Sequence, residues 1–194
     1  RLTVQPVSTT AGPPFGERLL PGGYVPGLKL IVKLQTKPPA DTVSYTVSDQ
    51  PPEGWTVGTV SDGGAFDAVT RRVKFGPFFD NAPRLLSYEV TPPPGESGTK
   101  RFAGTGSANG VNSDITQAVE IPIATTHPAD TDADFRIVDS EITGYGAAWK
   151  RGSVWAQGPS PVPDDYVTRA GFLWRRGEAY RFDSTVASAP LWWV

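Results

Sequence analysis

The sequence predicts a mainly β protein, in which an antiparallel β-sandwich is followed by a small α-helical module. Between about residues 25 and 124, short β-branched and aromatic runs alternate with turn clusters, a pattern typical of a sandwich. After residue 125, the apolar residues recur at helical spacing instead. Glycine (21) and proline (20) are frequent and separate these segments. The predicted organisation is an N-terminal strand or linker (1–24), the sandwich (25–124) and the helical module (125–194).

The N-terminal segment allows two interpretations. LTVQPV (2–7) could form a further strand, whereas TTAGPPFGERLLPGG (9–23) is typical of a linker or of a loop against the sandwich. A strand at this end could also add to the sheet edge of a neighbouring molecule. We favour the simpler interpretation, in which it pairs within its own domain or stays unpaired.

Seven runs in the middle of the chain are candidate strands. Seven short antiparallel strands in about 100 residues favour an immunoglobulin-like sandwich. The runs are LKLIVKLQT (28–36), TVSYTVS (42–48), WTVGTVS (55–61), RRVKFG (71–76), LLSYEVT (85–91), KRFAGTGSA (100–108) and QAVEIPIA (117–124). Because side chains alternate along a strand, two of these runs predict residues that share one face. They are Val43, Tyr45 and Val47, and Leu86, Tyr88 and Val90.

A corner within this half carries a resemblance. DQPPEGWTV (49–57) resembles the β-sandwich repeats of bacterial surface proteins, in which a later Tyr-x-Val-Thr-Pro strand closes the sheet. The matching residues are Asp49, Pro52, Gly54, Trp55 and Val57, then Tyr88, Val90, Thr91 and Pro92. These motifs are structural. Trp55 could be a platform for ligand stacking, but a core residue beside a Pro–Gly turn is the favoured interpretation.

An acidic run of twelve residues, DTDADFRIVDSE (130–141), has the spacing of a calcium-binding loop. Carboxylates stand at its first, third, fifth and twelfth positions, and Ca²⁺ takes oxygen ligands from such a loop. Ile137, at position eight, is expected to fix the loop against its partner through a short backbone pairing. Phe135 stands at position six, where glycine is usual because the backbone needs a positive φ. The alternative is an acidic turn before a helix, without metal. We predict one Ca²⁺ site with these ligands: Asp130, Asp132, Asp134, the Arg136 carbonyl and a bidentate Glu141.

The helical module contains an internal repeat at an offset of 25 residues. ITGYGAAWKRGSVW (142–155) aligns with VTRAGFLWRRGEAY (167–180). Units this short cannot bury their apolar faces alone, so the two helices should pack on one another. Gly146 and Gly171 recur in the middle of the two helices and predict a close approach between them. Gly152 and Gly177 recur after the last helical residues and predict helix ends. The corresponding second loop, WAQGPSPVPDDY (155–166), lacks calcium ligands.

A calcium loop with a duplicated helix, following an immunoglobulin-like domain, resembles the dockerin family. The resemblance covers about residues 127–183 and is strongest to dockerin-like modules of bacterial surface and secreted proteins. Dockerins bind cohesin modules through their two helices, so the resemblance implies a protein partner for Asp139, Ser140, Lys150 and Arg151. Departures leave other partners open: only one loop keeps its ligands, position twelve is Glu, and PLWWV extends past the second helix. A docking face within the same polypeptide, or on neighbouring copies in a homopolymer, is as consistent with the sequence.

Several function classes lack support in the sequence. The net charge is −2 and the basic residues are scattered, so no footprint for nucleic acid is present. No apolar run approaches membrane-spanning length. Cysteine is absent, which excludes disulfides, zinc–thiolate sites and a cysteine nucleophile. The single histidine, His127, is expected at the surface or in a linker, and no serine elbow or phosphate-binding motif accompanies it.

These observations predict a non-catalytic structural or adhesion module at the cell surface or outside the cell, in which one Ca²⁺ ion orders a helical pair. The alternative is a carbohydrate-binding module, because exposed tryptophans stack on sugar rings. Its candidate residues are Trp55, Trp155, Trp192 and Trp193. For the terminal PLWWV, we expect the chain to fold back over the helical module, although an exposed patch is also consistent with it.

Overall fold

The computed structural model describes residues 11–183, 185–186 and 188–194, and it is mainly β, as predicted. The candidate strand LTVQPV lies outside the described residues. The strands are β1 (Gly16–Leu19), β2 (Leu30–Thr36), β3 (Tyr45–Gln50), β4 (Thr56–Val60), β5 (Ala65–Asp67), β6 (Arg72–Phe78), β7 (Arg84–Thr91), β8 (Lys100–Arg101), β9 (Ala103–Ala108), β10 (Val111–Asp114) and β11 (Glu120–Ile121). The helices are α1 (Asp139–Arg151) and α2 (Asp164–Arg175).

The strands form antiparallel sheets. One sheet has the order β1-β2-β7-β4, a second has the order β10-β9-β3-β6-β5, and β8 pairs with β11. Leu86, Tyr88 and Val90 of β7 are all buried, as their alternation predicts. The prediction for Val43 is wrong: its side chain is 74 % exposed, because β3 begins only at Tyr45.

The two larger sheets share one hydrophobic core. It contains Val32 of β2, Val47 of β3 and Phe75 of β6. Trp55 is 3 % exposed and joins this core, packing edge-on against Phe102 with ring centroids 5.8 Å apart. Its indole Nε1 donates to Glu96 Oε2 at 2.9 Å, which satisfies its polar atom. Trp55 is therefore a core residue and not a stacking platform.

Three strands were not among the seven candidates. β1 lies in the segment predicted as strand or linker, where it pairs with β2. β5 and β10 fall in stretches expected to be turns. β10 forms a hairpin with β9 through Asn109 and Gly110, which both have positive φ (49° and 82°). Asn-Gly is a strong hairpin signal, because its two residues accept that conformation readily.

A buried ion pair ties β1 to the second sheet. The guanidinium of Arg18 bonds the carboxylate of Asp49 on β3, and both residues are fully buried. The Tyr88 hydroxyl donates to Asp49 Oδ2 at 2.7 Å. Gly104 on β9 leaves the room for this pair, since a Cβ there would collide with both partners. The short strand β1 is thus held by charge as well as by its backbone bonds.

The helical module has its own core. Ile137, Tyr145 of α1 and Leu173 of α2 are buried in it, together with Trp193 near the end of the chain. Val25, which precedes β2, is buried in the same cluster. The prediction that PLWWV folds back over the module is therefore confirmed, since Trp193 is fully buried and donates from Nε1 to the Thr125 carbonyl at 3.1 Å.

The mid-helix glycines do not mark a close approach of the helices, so that prediction is wrong. A Cβ added at Gly146 would meet nothing within 4 Å, and one at Gly171 would meet only the Arg175 guanidinium, at 3.7 Å. The helices pack instead through buried residues such as Tyr145 and Leu173. Gly152 does end α1, with φ 62° at the C-cap.

Replacing Gly146 by Ala should therefore stabilise the protein by about 0.5–1 kcal/mol, because alanine loses less backbone entropy in a helix and here meets no neighbour. Gly152→Ala should destabilise by about 1–2 kcal/mol, because the left-handed conformation disfavours a side chain. Urea unfolding of both variants measures the two effects. A loss of stability in Gly146→Ala would contradict the open environment of this position.

Candidate metal centre

The acidic run forms the loop that leads into α1, and three of its carboxylates converge. One oxygen from each of Asp130, Asp132 and Asp134 lies within 4.8 Å of the others. Asp130 is buried and the other two are exposed. Arg136, the basic residue of the run, pairs with Glu178 instead of with this group. The donor set, three carboxylates with oxygens alone, fits a hard cation such as Ca²⁺.

Backbone amides of the loop orient these carboxylates. Asp130 Oδ2 accepts from the Phe135 N–H at 2.9 Å, and Asp134 Oδ1 accepts from the Arg136 N–H at 2.8 Å. The loop turns sharply at Phe135, whose φ is 63°, so position six adopts the positive φ that usually calls for glycine. A side chain in that conformation costs about 1–2 kcal/mol.

Glu141, the predicted bidentate ligand, is buried in the first turn of α1 but is not part of the converging group. Its Oε1 accepts from the hydroxyl of Thr131 at 2.8 Å, and its Oε2 accepts from the Val138 N–H at 3.1 Å. The second bond is half of a capping box, in which a glutamate at the third helical position reaches back to the N-cap amide. The structure thus gathers three of the four predicted acidic ligands and engages the fourth with the loop itself.

The middle of the loop pairs with the backbone that follows α2. The Ile137 N–H donates to the Glu178 carbonyl at 3.1 Å, and the Tyr180 N–H donates to the Phe135 carbonyl at 3.0 Å. Arg136 faces Ala179 across this antiparallel bridge. Position eight does form a backbone pairing, as predicted, but with the segment after α2 and not with the second loop of the repeat. The sequence did not identify the pairing segment, residues 178–180.

The side chain of Tyr180 reaches the first predicted ligand. Its hydroxyl donates to Asp130 Oδ2 at 2.5 Å and accepts from the His127 N–H at 2.8 Å. Burial raises the pKa of Asp130, while the hydrogen bond from Tyr180 opposes that shift. Burial also raises the pKa of the Tyr180 hydroxyl. No sequence pattern links these residues, because Asp130 and Tyr180 are 50 positions apart.

His127 is fully buried, so the expectation of a surface or linker residue is wrong. Its Nδ1 accepts from the Ala129 N–H at 3.0 Å. Burial lowers the pKa of His127 to about 3, and the backbone of Tyr166 opposes the shift. Four aromatic rings of the helical module surround the imidazole, and they favour its neutral form by excluding water. They belong to Tyr145, Tyr166, Tyr180 and Trp193.

His127 should therefore make the protein sensitive to mild acid. The unfolded chain takes up a proton near the ordinary pKa of 6.5, whereas folded His127 stays neutral until about pH 3. The stability it contributes is complete above pH 6.5 and is lost as the pH falls, by about 2 kcal/mol at pH 5. Between pH 7 and pH 5, the free energy of unfolding of His127→Phe should fall by about 2 kcal/mol less than that of the wild type. An equal drop in both proteins would contradict the neutral, buried histidine.

The internal repeat appears in the structure as a reciprocal pair of hydrogen bonds. Trp149 Nε1 donates to Asp164 Oδ1 at 2.7 Å, and Trp174 Nε1 donates to Asp139 Oδ1 at 2.8 Å. Donor and acceptor both recur at the offset of 25 residues. Since the last turn of each helix contacts the first turn of the other, α1 and α2 run antiparallel. Both tryptophans remain 37 % exposed.

The residues predicted to face a partner are all exposed, but they do not form one cluster. Asp139 and Ser140 begin α1, whereas Lys150 and Arg151 end it. With a rise of 1.5 Å per residue, these pairs are about 16 Å apart along the helix. Asp139 also accepts the bond from Trp174, so it links one end of this surface to α2.

Two of the four tryptophans predicted to stack on sugars cannot do so, because Trp55 and Trp193 are buried in the two cores. Trp155 and Trp192 are half-buried. Their Nε1 groups donate to the carbonyls of Pro128 at 2.7 Å and Val186 at 3.1 Å. The indole N–H of each is therefore already bonded within the protein.

Comparisons with known proteins add little to this description. No family model matches the chain, and no curated protein matches it. The solution structure of the chitin-binding domain of the hyperthermophilic chitinase from Pyrococcus furiosus is similar over 54 % of this chain and 98 % of that domain, with 20 % identity. The TM-score is 0.35, which does not establish a shared fold. Among the described residues, neither helix has the length and apolar character needed to cross a membrane.

Proposed function

We propose that this chain is a non-catalytic extracellular or cell-surface module in which one Ca²⁺ ion orders the antiparallel helical pair for docking or assembly with a protein partner. The convergence of Asp130, Asp132 and Asp134 at the start of α1 is the observation that carries the proposal. The Arg136 carbonyl and Glu141 would complete the ligand set, with Glu141 exchanging its bonds to Thr131 and the Val138 N–H for the ion. The ion supplies positive charge to a loop whose own basic residue is paired elsewhere.

The position of the loop explains why a metal would matter for docking. It lies directly before α1, and its middle pairs with residues 178–180 after α2. An ion held there would fix both helices relative to one another. Their exposed surface carries the half-exposed Trp149 and Trp174, which supply apolar contact area of the kind that protein interfaces favour.

By its resemblance to dockerins, the module takes a cohesin-like partner or a neighbouring copy of this chain. The two sheets of the β domain form an immunoglobulin-like sandwich that supports the helical pair. The contact between the units is direct, because Val25 and Leu28, which precede β2, both pack in the helical core. Sugar binding is the weaker alternative, since two of its four candidate tryptophans are buried.

The docking proposal is tested by measuring association with and without calcium. Sedimentation velocity of the chain alone detects copies binding to each other, and biolayer interferometry detects binding to immobilised cohesin modules. We expect association in calcium, its loss in a chelator, and weakening in Lys150→Glu/Arg151→Glu. The charge reversal at Lys33 and Lys37 on the β domain is the matched control. No association under either condition, together with binding to insoluble chitin or cellulose, would favour the sugar-binding alternative.

A further inference from the structure

We propose that Tyr180 is a positioning residue for the first calcium ligand: its hydroxyl, held by the backbone of His127, fixes the Asp130 carboxylate in the orientation that the ion needs. The inference rests on the proposed function, because it concerns the same loop. It adds a residue from beyond α2 to a site otherwise built from one continuous run.

The hydrogen bonds around the hydroxyl define its direction. The His127 N–H donates to the Tyr180 oxygen at 2.8 Å, so the hydroxyl proton is left for Asp130 Oδ2, at 2.5 Å. The same carboxylate oxygen accepts from the Phe135 N–H at 2.9 Å. Tyr180 is 7 % exposed and Asp130 is 2 % exposed, so water competes little for either group. Two donors thus hold one oxygen of Asp130 in place.

Tyr180 is itself held at its backbone and its ring. Its N–H donates to the Phe135 carbonyl at 3.0 Å, and the two rings pack with centroids 5.7 Å apart. Next to it, Glu178 pairs with Arg136 and accepts from Ile137. The backbone pairing and the ring packing together place the hydroxyl against Asp130. Groups that bond a metal ligand in this way orient it, and losing them typically weakens metal binding by about 10–100-fold.

The same core provides matched controls. Tyr145 and Tyr166 are buried beside His127, like Tyr180. Their hydroxyls have no hydrogen-bond partner among the described residues. Replacing either by phenylalanine removes a buried hydroxyl from this core without touching the loop. If Tyr180 contributed only to core packing, Tyr145→Phe or Tyr166→Phe should weaken Ca²⁺ binding as much as Tyr180→Phe does.

The test is the Ca²⁺ affinity of the full chain, measured by competition with a chromophoric chelator, and the Ca²⁺ dissociation rate, measured by stopped flow. Tyr180→Phe should bind Ca²⁺ about 10–100-fold more weakly, with faster dissociation, while Tyr166→Phe should match the wild type. Wild-type Ca²⁺ affinity in Tyr180→Phe, or an equal loss in both variants, would overturn the positioning role of Tyr180 but not the proposed function. A wild type that binds no Ca²⁺ would overturn the proposed function as well.

If Tyr180→Phe does not fold, a measurement on the wild-type protein tests the positioning role of Tyr180 instead. In protein labelled with ¹³C at the tyrosine Cζ, the resonance of Tyr180 should shift during the Ca²⁺ titration and stop at one equivalent, because Cζ reports hydrogen bonding of the hydroxyl. The Tyr145 and Tyr166 resonances should move less. A Tyr180 resonance that stays unchanged while Ca²⁺ binds would contradict the positioning role.

Discussion

Saturating Ca²⁺ should raise the unfolding temperature of the helical module by about 15 °C. A ligand that binds only the folded state stabilises it by about 4 kcal/mol when its concentration is a thousand times the dissociation constant. Each kcal/mol is worth about 4 °C or more for a domain of this size. The structural reason is the convergence of Asp130, Asp132 and Asp134 in a loop whose only basic residue pairs with Glu178. Calorimetry of the chelated protein during Ca²⁺ addition, followed together with tryptophan fluorescence, measures the shift.

Asparagine variants separate a specific site from general screening of charge. Asp130→Asn should lose most of the calcium shift, because it removes the buried member of the group. Asp165→Asn is the control, since this residue supplies an acidic side chain to the first turn of α2, outside the metal loop. We expect the control to keep the full shift. A shift that survives in Asp130→Asn/Asp132→Asn would place the ion elsewhere, and no shift in the wild type would leave the acidic run as a turn before a helix.

The periodic parts of the fold could be predicted from the sequence. β7 buries Leu86, Tyr88 and Val90, as the sequence predicted, because side chains of a strand point alternately to opposite faces of a sheet. The two helices were predicted because their apolar residues recur every three or four positions, and the structure gives α1 and α2 within two residues of the predicted ends. Patterns of this kind are local, so a sequence reveals them.

Several contacts between distant parts of the chain could not be predicted. β1 contains Arg18, whose charge argues for the surface, and its burial depends on Asp49 from another strand. His127 also looks like a surface residue until the aromatic side chains of α1, α2 and the tail enclose it. In each case, a partner far along the chain reverses what the residue type suggests.

In the candidate site, too, a local pattern could be predicted from the sequence and contacts formed on folding could not. The spacing of Asp130, Asp132 and Asp134 was enough to predict a shared oxygen site. The spacing of Glu141 was equally suggestive, but its bonds to Thr131 and to the N-cap amide of Val138 engage its oxygens with the loop. Gly146 shows a different limit: a residue that recurs in a repeat need not face the neighbouring helix.

Breaking the buried ion pair between Arg18 and Asp49 should cost the β domain about 3–5 kcal/mol. Arg18→Met keeps most of the length of the side chain but leaves the Asp49 carboxylate in the core with Tyr88 as its remaining donor. A buried charge that loses its partner is strongly destabilising, whereas replacing both charges by apolar residues is often neutral. Arg18→Met/Asp49→Leu should therefore cost much less than the sum of the single variants.

Urea unfolding of the two single variants and the double variant measures the coupling between Arg18 and Asp49. The exposed pair between Lys74 and Asp67 is the matched control, and Lys74→Met should cost far less than Arg18→Met, because solvent screens the exposed pair. If the double variant cost as much as both single variants together, the two side chains would act independently, and the charge pair would not be what holds β1. A large coupling would mean that a four-residue strand keeps its place in the sheet because its one arginine pairs with a buried carboxylate on the other sheet.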